Sequence, residues 1–139
     1  MKPPEAELRA LVGEWVRKAA QDLAGAERLA AEGGGLRELV VFHAQQAAEK
    51  YLKALLLRWR IEFPRTHDLD TLLYLLRSVR PDLAGGLSDV VWLTPFGVEI
   101  RYPSDFPQTL PGDEARALEL AQRVRTAAIA VLGPYLDAV

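Results

Sequence analysis

The 139-residue chain has no cysteine, which excludes disulfide scaffolds, thiolate zinc sites and cysteine nucleophiles. Histidine is almost as scarce. Only His43 and His67 are present, too few for an all-imidazole metal centre, and no metal or other cofactor is expected. Neither sign of charge dominates: 17 Lys and Arg stand against 19 Asp and Glu, a net −2, so no general basic field draws nucleic acid to the surface. Long hydrophobic runs are missing too; none approaches the ~20 residues that cross a bilayer, and no membrane association is expected. The opening Met1-Lys2-Pro3-Pro4-Glu5 has neither the apolar stretch nor the cleavage site of a secretory signal, so a cytoplasmic protein is expected. What is present is an ordinary globular balance, 50% hydrophobic and 26% charged, which excludes disorder and suits one helical domain over residues 1–139.

Apolar spacing predicts an all-α chain. Pro3 and Pro4 suit the first helical positions, with Glu5 and Glu7 in the first turn. Leu8, Leu11, Val12, Trp15, Ala19, Leu23, Ala26 and Ala30 continue that helix to the Gly33-Gly34-Gly35 breaker. A second helix is predicted from Leu36 to Arg60, and a short third one from Asp68 to Val79 behind the cap-type residues Thr66 and Asp68. A fourth is predicted from Pro81 towards Ile100; the Val, Trp and Ile cluster near its end has no second strand to pair with. Pro103, Pro107 and Pro111 mark a loop. A last helix follows Gly112, with Asp113 as its cap and Gly133-Pro134 expected to end or bend it. Four to five helices with short connections make an antiparallel up-and-down bundle the economical architecture.

The second helix is the most informative. On a helical wheel Val40, Ala44, Ala47, Ala48, Tyr51, Leu52 and Leu55 fall within an apolar arc of roughly 160°. His43, Gln45, Gln46, Glu49, Lys50 and Lys53 occupy the opposite arc, bracketed by Phe42, Leu56 and Leu57. Apolar residues around a polar patch point to contact with another helix or another subunit, against the plainer reading of isolated surface leucines. Glu49 and Lys53, four apart, form at the least a solvated ion pair. Asp22 sits in the apolar stripe of the first helix, where a carboxylate needs a partner; Lys50, Lys53 and Arg101 are the candidates. His67 stands at a helix start, where it either packs locally or meets a pocket ligand. Arg101, with Tyr102 and Pro103, either complements a helix end or holds a carboxylate or phosphate.

Three blocks in this order, Phe42-His43-Ala44-Gln45-Gln46-Ala47-Ala48-Glu49-Lys50-Tyr51-Leu52-Lys53-Ala54-Leu55, Thr66-His67-Asp68-Leu69 and Arg101-Tyr102-Pro103, resemble the HEPN family (higher eukaryotes and prokaryotes nucleotide-binding domain). Asp22 also matches the aspartate usual on that family's first helix. The resemblance implies a helical bundle that commonly dimerises, often encoded beside a minimal nucleotidyltransferase and sometimes paired with it as toxin and antitoxin. It also implies, for many members, a metal-independent ribonuclease with an Arg-x(4–6)-His motif shared across a dimer cleft. Here the residues after Arg101 are Tyr102, Pro103, Ser104, Asp105, Phe106 and Pro107, with no histidine in the motif position. Arg37 to His43 and Arg60 to His67 also satisfy the bare spacing, but arginine is abundant enough for chance matches.

Three functions follow. The first is a non-catalytic module that dimerises, pairs with a minimal nucleotidyltransferase and helps bind nucleotide, RNA or another substrate. Its candidate binding residues are Asp22, His43, Gln46, Glu49, Lys50, Lys53, His67, Arg101 and Tyr102, with no catalytic residue assigned. The second is a ribonuclease toxin using His43 or His67 as general acid or base. The third is a purely structural helical dimer.

Overall fold

A computed structural model describes residues 3–98 and 102–138. The described residues are all-α, without a strand. The elements are α1 (Glu5–Glu32), α2 (Arg37–Arg58), α3 (Leu69–Arg77), α4 (Pro81–Gly86), a 3₁₀ segment (Ser88–Gly97), a 3₁₀ turn (Pro103–Asp105) and α5 (Asp113–Asp137). None of these helices is long and apolar enough to cross a membrane.

α1 buries Leu8, Val12, Ala19, Leu23 and Ala26, one stripe at helical spacing. It ends where Gly33, Gly34 and Gly35 all take positive φ, +74°, +58° and +84°. Side chains with a Cβ rarely adopt three such conformations in a row, and the chain reverses there into α2. α2 is central, packing on α1, α5, α3 and the 3₁₀ segment. Its alanines 44, 47, 48 and 54 are fully buried, small enough to let neighbouring helices approach from several sides. With neighbours all round, the expected polar face does not stay in water. Gln45, Glu49 and Lys53 are buried, and so is Leu56, for which a contact with another helix or another subunit was expected. Phe42 and Leu57 are half-buried against the same core. The apolar bracket is therefore largely internal packing.

The third helix starts as expected. Asp68 is its N-cap, accepting from the Asp70 amide at 3.0 Å and from the Thr71 hydroxyl at 3.1 Å, while Thr66 Oγ1 accepts from the Asp68 amide. The Leu69 amide donates to Thr94 Oγ1 at 3.2 Å, tying this turn to the 3₁₀ segment. The predicted fourth helix is α-helical only through Gly86; residues 88–97 tighten to 3₁₀. Pro95 lacks an amide hydrogen and crowds the preceding turn, while Val90, Leu93 and Phe96 still reach the core. α5 is capped by Gly112 rather than Asp113, whose carboxylate instead accepts from the Leu110 amide. It also runs through Pro134 to Asp137. One missing hydrogen bond near the end is offset by anchoring: Arg9 Nε donates to the Tyr135 carbonyl, and the Arg9 and Arg58 guanidinium groups lie 4.9 and 4.2 Å from the Tyr135 ring centroid.

Candidate functional site

Two Lys–carboxylate–His chains meet on α2, one reaching α1 and the other the turn before α3. In the first, Asp22 of α1 meets α2: Oδ2 accepts from Lys50 Nζ and Oδ1 lies 3.0 Å from His43 Nδ1. Asp22 was expected to be buried and paired with Lys50 or Lys53; its side chain is 15% exposed and the partner is Lys50. The bond to His43 was not expected. The signal was present in the spacing, because His43 and Lys50 are seven residues apart and lie on one stripe of α2.

The second chain lies deeper. Glu49 Oε2 accepts from Lys53 Nζ at 3.0 Å, and Oε1 lies 2.7 Å from His67 Nδ1. The pair expected in solvent is instead closed off, with Glu49 and Lys53 side chains 4% and 9% exposed. Lys53 Nζ also lies 5.7 Å from the ring centroids of Trp15 and Phe63. Gln45 completes the arrangement: its Nε2 donates to Glu49 Oε1 at 3.3 Å and to the His67 carbonyl at 3.1 Å, and its Oε1 accepts from Gln46 Nε2 at 2.7 Å. Gln45 was assigned to the polar arc without a site role, yet it joins Glu49, His67 and Gln46. A Cβ on Gly97 would lie 2.5 Å from this amide, so the 3₁₀ segment packs on Gln45 at a distance only glycine permits.

An ionised carboxylate only accepts hydrogen bonds, so each imidazole presents Nδ1–H to its acid. The neutral ring then carries its lone pair on Nε2, and the protonated ring carries a second N–H there. Both histidines line one open cleft of about 590 Å³ between the start of α2, the Thr66–Asp68 turn and the end of the 3₁₀ segment. Leu39, Phe42, Val98 and Phe106 give it apolar walls; Gln46 and Glu38 add polar groups. His43 is one-third exposed and His67 rather more than half. The Phe42 and His43 rings meet edge-on at 5.2 Å.

The other expected residues divide. Lys50 and Lys53 stand behind the histidines, each engaged with a carboxylate. Tyr102 is exposed and does not line the cleft. Arg101 lies outside the described residues. Among the described residues no three His, Asp or Glu side chains are grouped as a metal site requires.

The chain has no significant match among curated proteins or solved structures. A family model described as HEPN domain matches residues 12–131, a span that takes in both Lys–carboxylate–His chains and the cleft. The chain therefore belongs to the HEPN domain family.

Proposed function

We propose that this protein is a non-catalytic HEPN binding module, acting in the cytoplasm as a dimer beside a minimal nucleotidyltransferase, and that its α2 cleft holds nucleotide or substrate. The observation carrying this reading is that His43 and His67 line the same cleft, each oriented by a carboxylate that is itself tied to a lysine. Side chains locked in this way lose little freedom when a ligand arrives, which favours binding. The cleft has room for a nucleotide, with apolar walls for a base and imidazoles for hydrogen bonds. Lys50 and Lys53 are engaged with Asp22 and Glu49 rather than turned to the cleft, which leaves the charge of a phosphorane without a lysine to stabilise it. Dimerisation and the nucleotidyltransferase partner, with a role in a toxin–antitoxin pair, follow from family resemblance.

The test is calorimetric titration of AMP into the full chain, with His43→Ala and His67→Ala beside it. Micromolar-to-millimolar binding that either substitution weakens supports the reading; binding unaffected by both removes the cleft from it. A second reading, the metal-independent ribonuclease, is favoured by one feature: two imidazoles lining one cleft, each with Nδ1 on a carboxylate, are suited to acid–base work. Incubating a mixed RNA pool with the protein in EDTA separates the two. Cleavage that His43→Ala or His67→Ala abolishes establishes the ribonuclease, and intact RNA leaves the binding module.

A further inference from the structure

Among the described residues that line the cleft there is no lysine or arginine, and the two imidazoles are the groups there that can become cations. Behind them the charges are already matched, Asp22 with Lys50 and Glu49 with Lys53. With neutral histidines the charged group among the described lining residues is the exposed Glu38 carboxylate, which disfavours an anion. Protonation adds one positive charge per ring and turns each Nε2 from acceptor into donor. The resulting imidazolium keeps its Nδ1–H on a carboxylate, so the added proton sits on Nε2, which is then a donor.

We propose that the cleft takes the anionic phosphate group of its ligand on the protonated forms of His43 and His67, so that ligand binding draws protons from solution. This rests on the reading of the cleft as a nucleotide site and adds to it the chemical state in which the site binds. Among the described residues, the charged groups around the two rings are Asp22 of α1 and Glu38, Glu49, Lys50 and Lys53 of α2; the 3₁₀ segment presents Gly97 and Val98 to the cleft, and the loop before α5 presents Phe106. The linkage has a definite sign: where the bound state holds more protons, affinity is highest at low pH and falls as pH rises.

The experiment needs a probe whose own charge is constant. The methyl ester of AMP is a phosphodiester with one negative charge throughout the range, and adenosine is its uncharged counterpart. Both are titrated by calorimetry from about pH 5.5 to about pH 8, in two buffers of different ionisation enthalpy so that proton uptake is counted. The affinity of the ester is expected to fall about tenfold or more as pH rises over that range, with net proton uptake on binding. Adenosine is expected to show neither. His43→Gln and His67→Gln should each reduce the proton uptake, and the double variant should remove it. Glu38→Gln should tighten the ester by removing the rim carboxylate. Ester binding that is independent of pH, or weakened by Glu38→Gln, overturns the proton-coupled site but leaves the binding-module reading intact. Absence of binding by both probes at every pH overturns the two together.

Discussion

Glu49 accepts from Lys53, Gln45 and His67 at once and is almost completely closed from water, whereas Asp22 serves Lys50 and His43 closer to the surface. The difference in burial sets the difference in cost when each acid is removed. Glu49→Ala leaves a buried ammonium without its counter-ion and is expected to destabilise by about 3–5 kcal/mol. Asp22→Ala leaves Lys50 with access to water, its side chain being 24% exposed, so about 2–3 kcal/mol is expected. Urea unfolding of the two variants checks the order; an equal or reversed cost would show that burial does not govern these pairs. The need for a partner at Asp22 was legible from its place in an apolar stripe. Glu49 gave no such sign, because an i,i+4 Glu–Lys pair looks the same in sequence whether water or protein covers it.

At the scale of elements, the 3₁₀ segment does more than close the bundle. Gly97 packs on the Gln45 amide, and Gln45 in turn bonds Glu49 and the His67 carbonyl. Gly97→Ala must push this amide aside, and the amide is held by its hydrogen bonds and cannot swing away freely. A loss of about 1–3 kcal/mol is expected, with displaced NMR signals for the His67 ring. An alanine variant with wild-type stability and an unmoved His67 spectrum would show that Gln45 yields without disturbing the site. Most helices were visible in the spacing of apolar residues. The 3₁₀ form of residues 88–97 was not, since Val, Leu and Phe at those positions serve either helix type and Pro95 alone does not choose.

For the whole molecule, one link joins the starts of two long helices: Arg37 at the beginning of α2 donates to Glu114 at the beginning of α5. The Arg37 hydrogen bond is the main cause that lowers the Glu114 pKa below its ordinary value, aided by the Gly112 amide. A depressed folded-state pKa contributes stability above the unfolded value that disappears as pH falls through the folded one. The stability difference between wild type and Arg37→Ala should therefore be present at pH 7 and shrink below about pH 4. A difference that stays constant over that range would mean the link has no charge component. The oligomeric state belongs to this scale too. Light scattering at tens of micromolar protein is expected to give twice 15.4 kDa, and a particle of 15.4 kDa would remove the dimer from the proposal. Leu56 is no probe of it, because Leu56→Asp would place a charge in the core and unfold the chain.

The sequence by itself determined the all-α class, the triple-glycine reversal, the cap-type residues Thr66 and Asp68 before α3 and the family, since each depends on local spacing or on a contiguous motif. It also determined that Asp22 needs a cation. Tertiary structure alone decided which acid holds which histidine, because Asp22–His43 and Glu49–His67 join residues about twenty positions apart whose rotation on their helices is set by packing. It also decided that α2 is enclosed on several sides, which took Gln45, Glu49, Lys53 and Leu56 out of water and left His43, His67 and Gln46 at the cleft. A helical wheel divides one helix into two faces. How many neighbours cover those faces is a property of the assembled bundle.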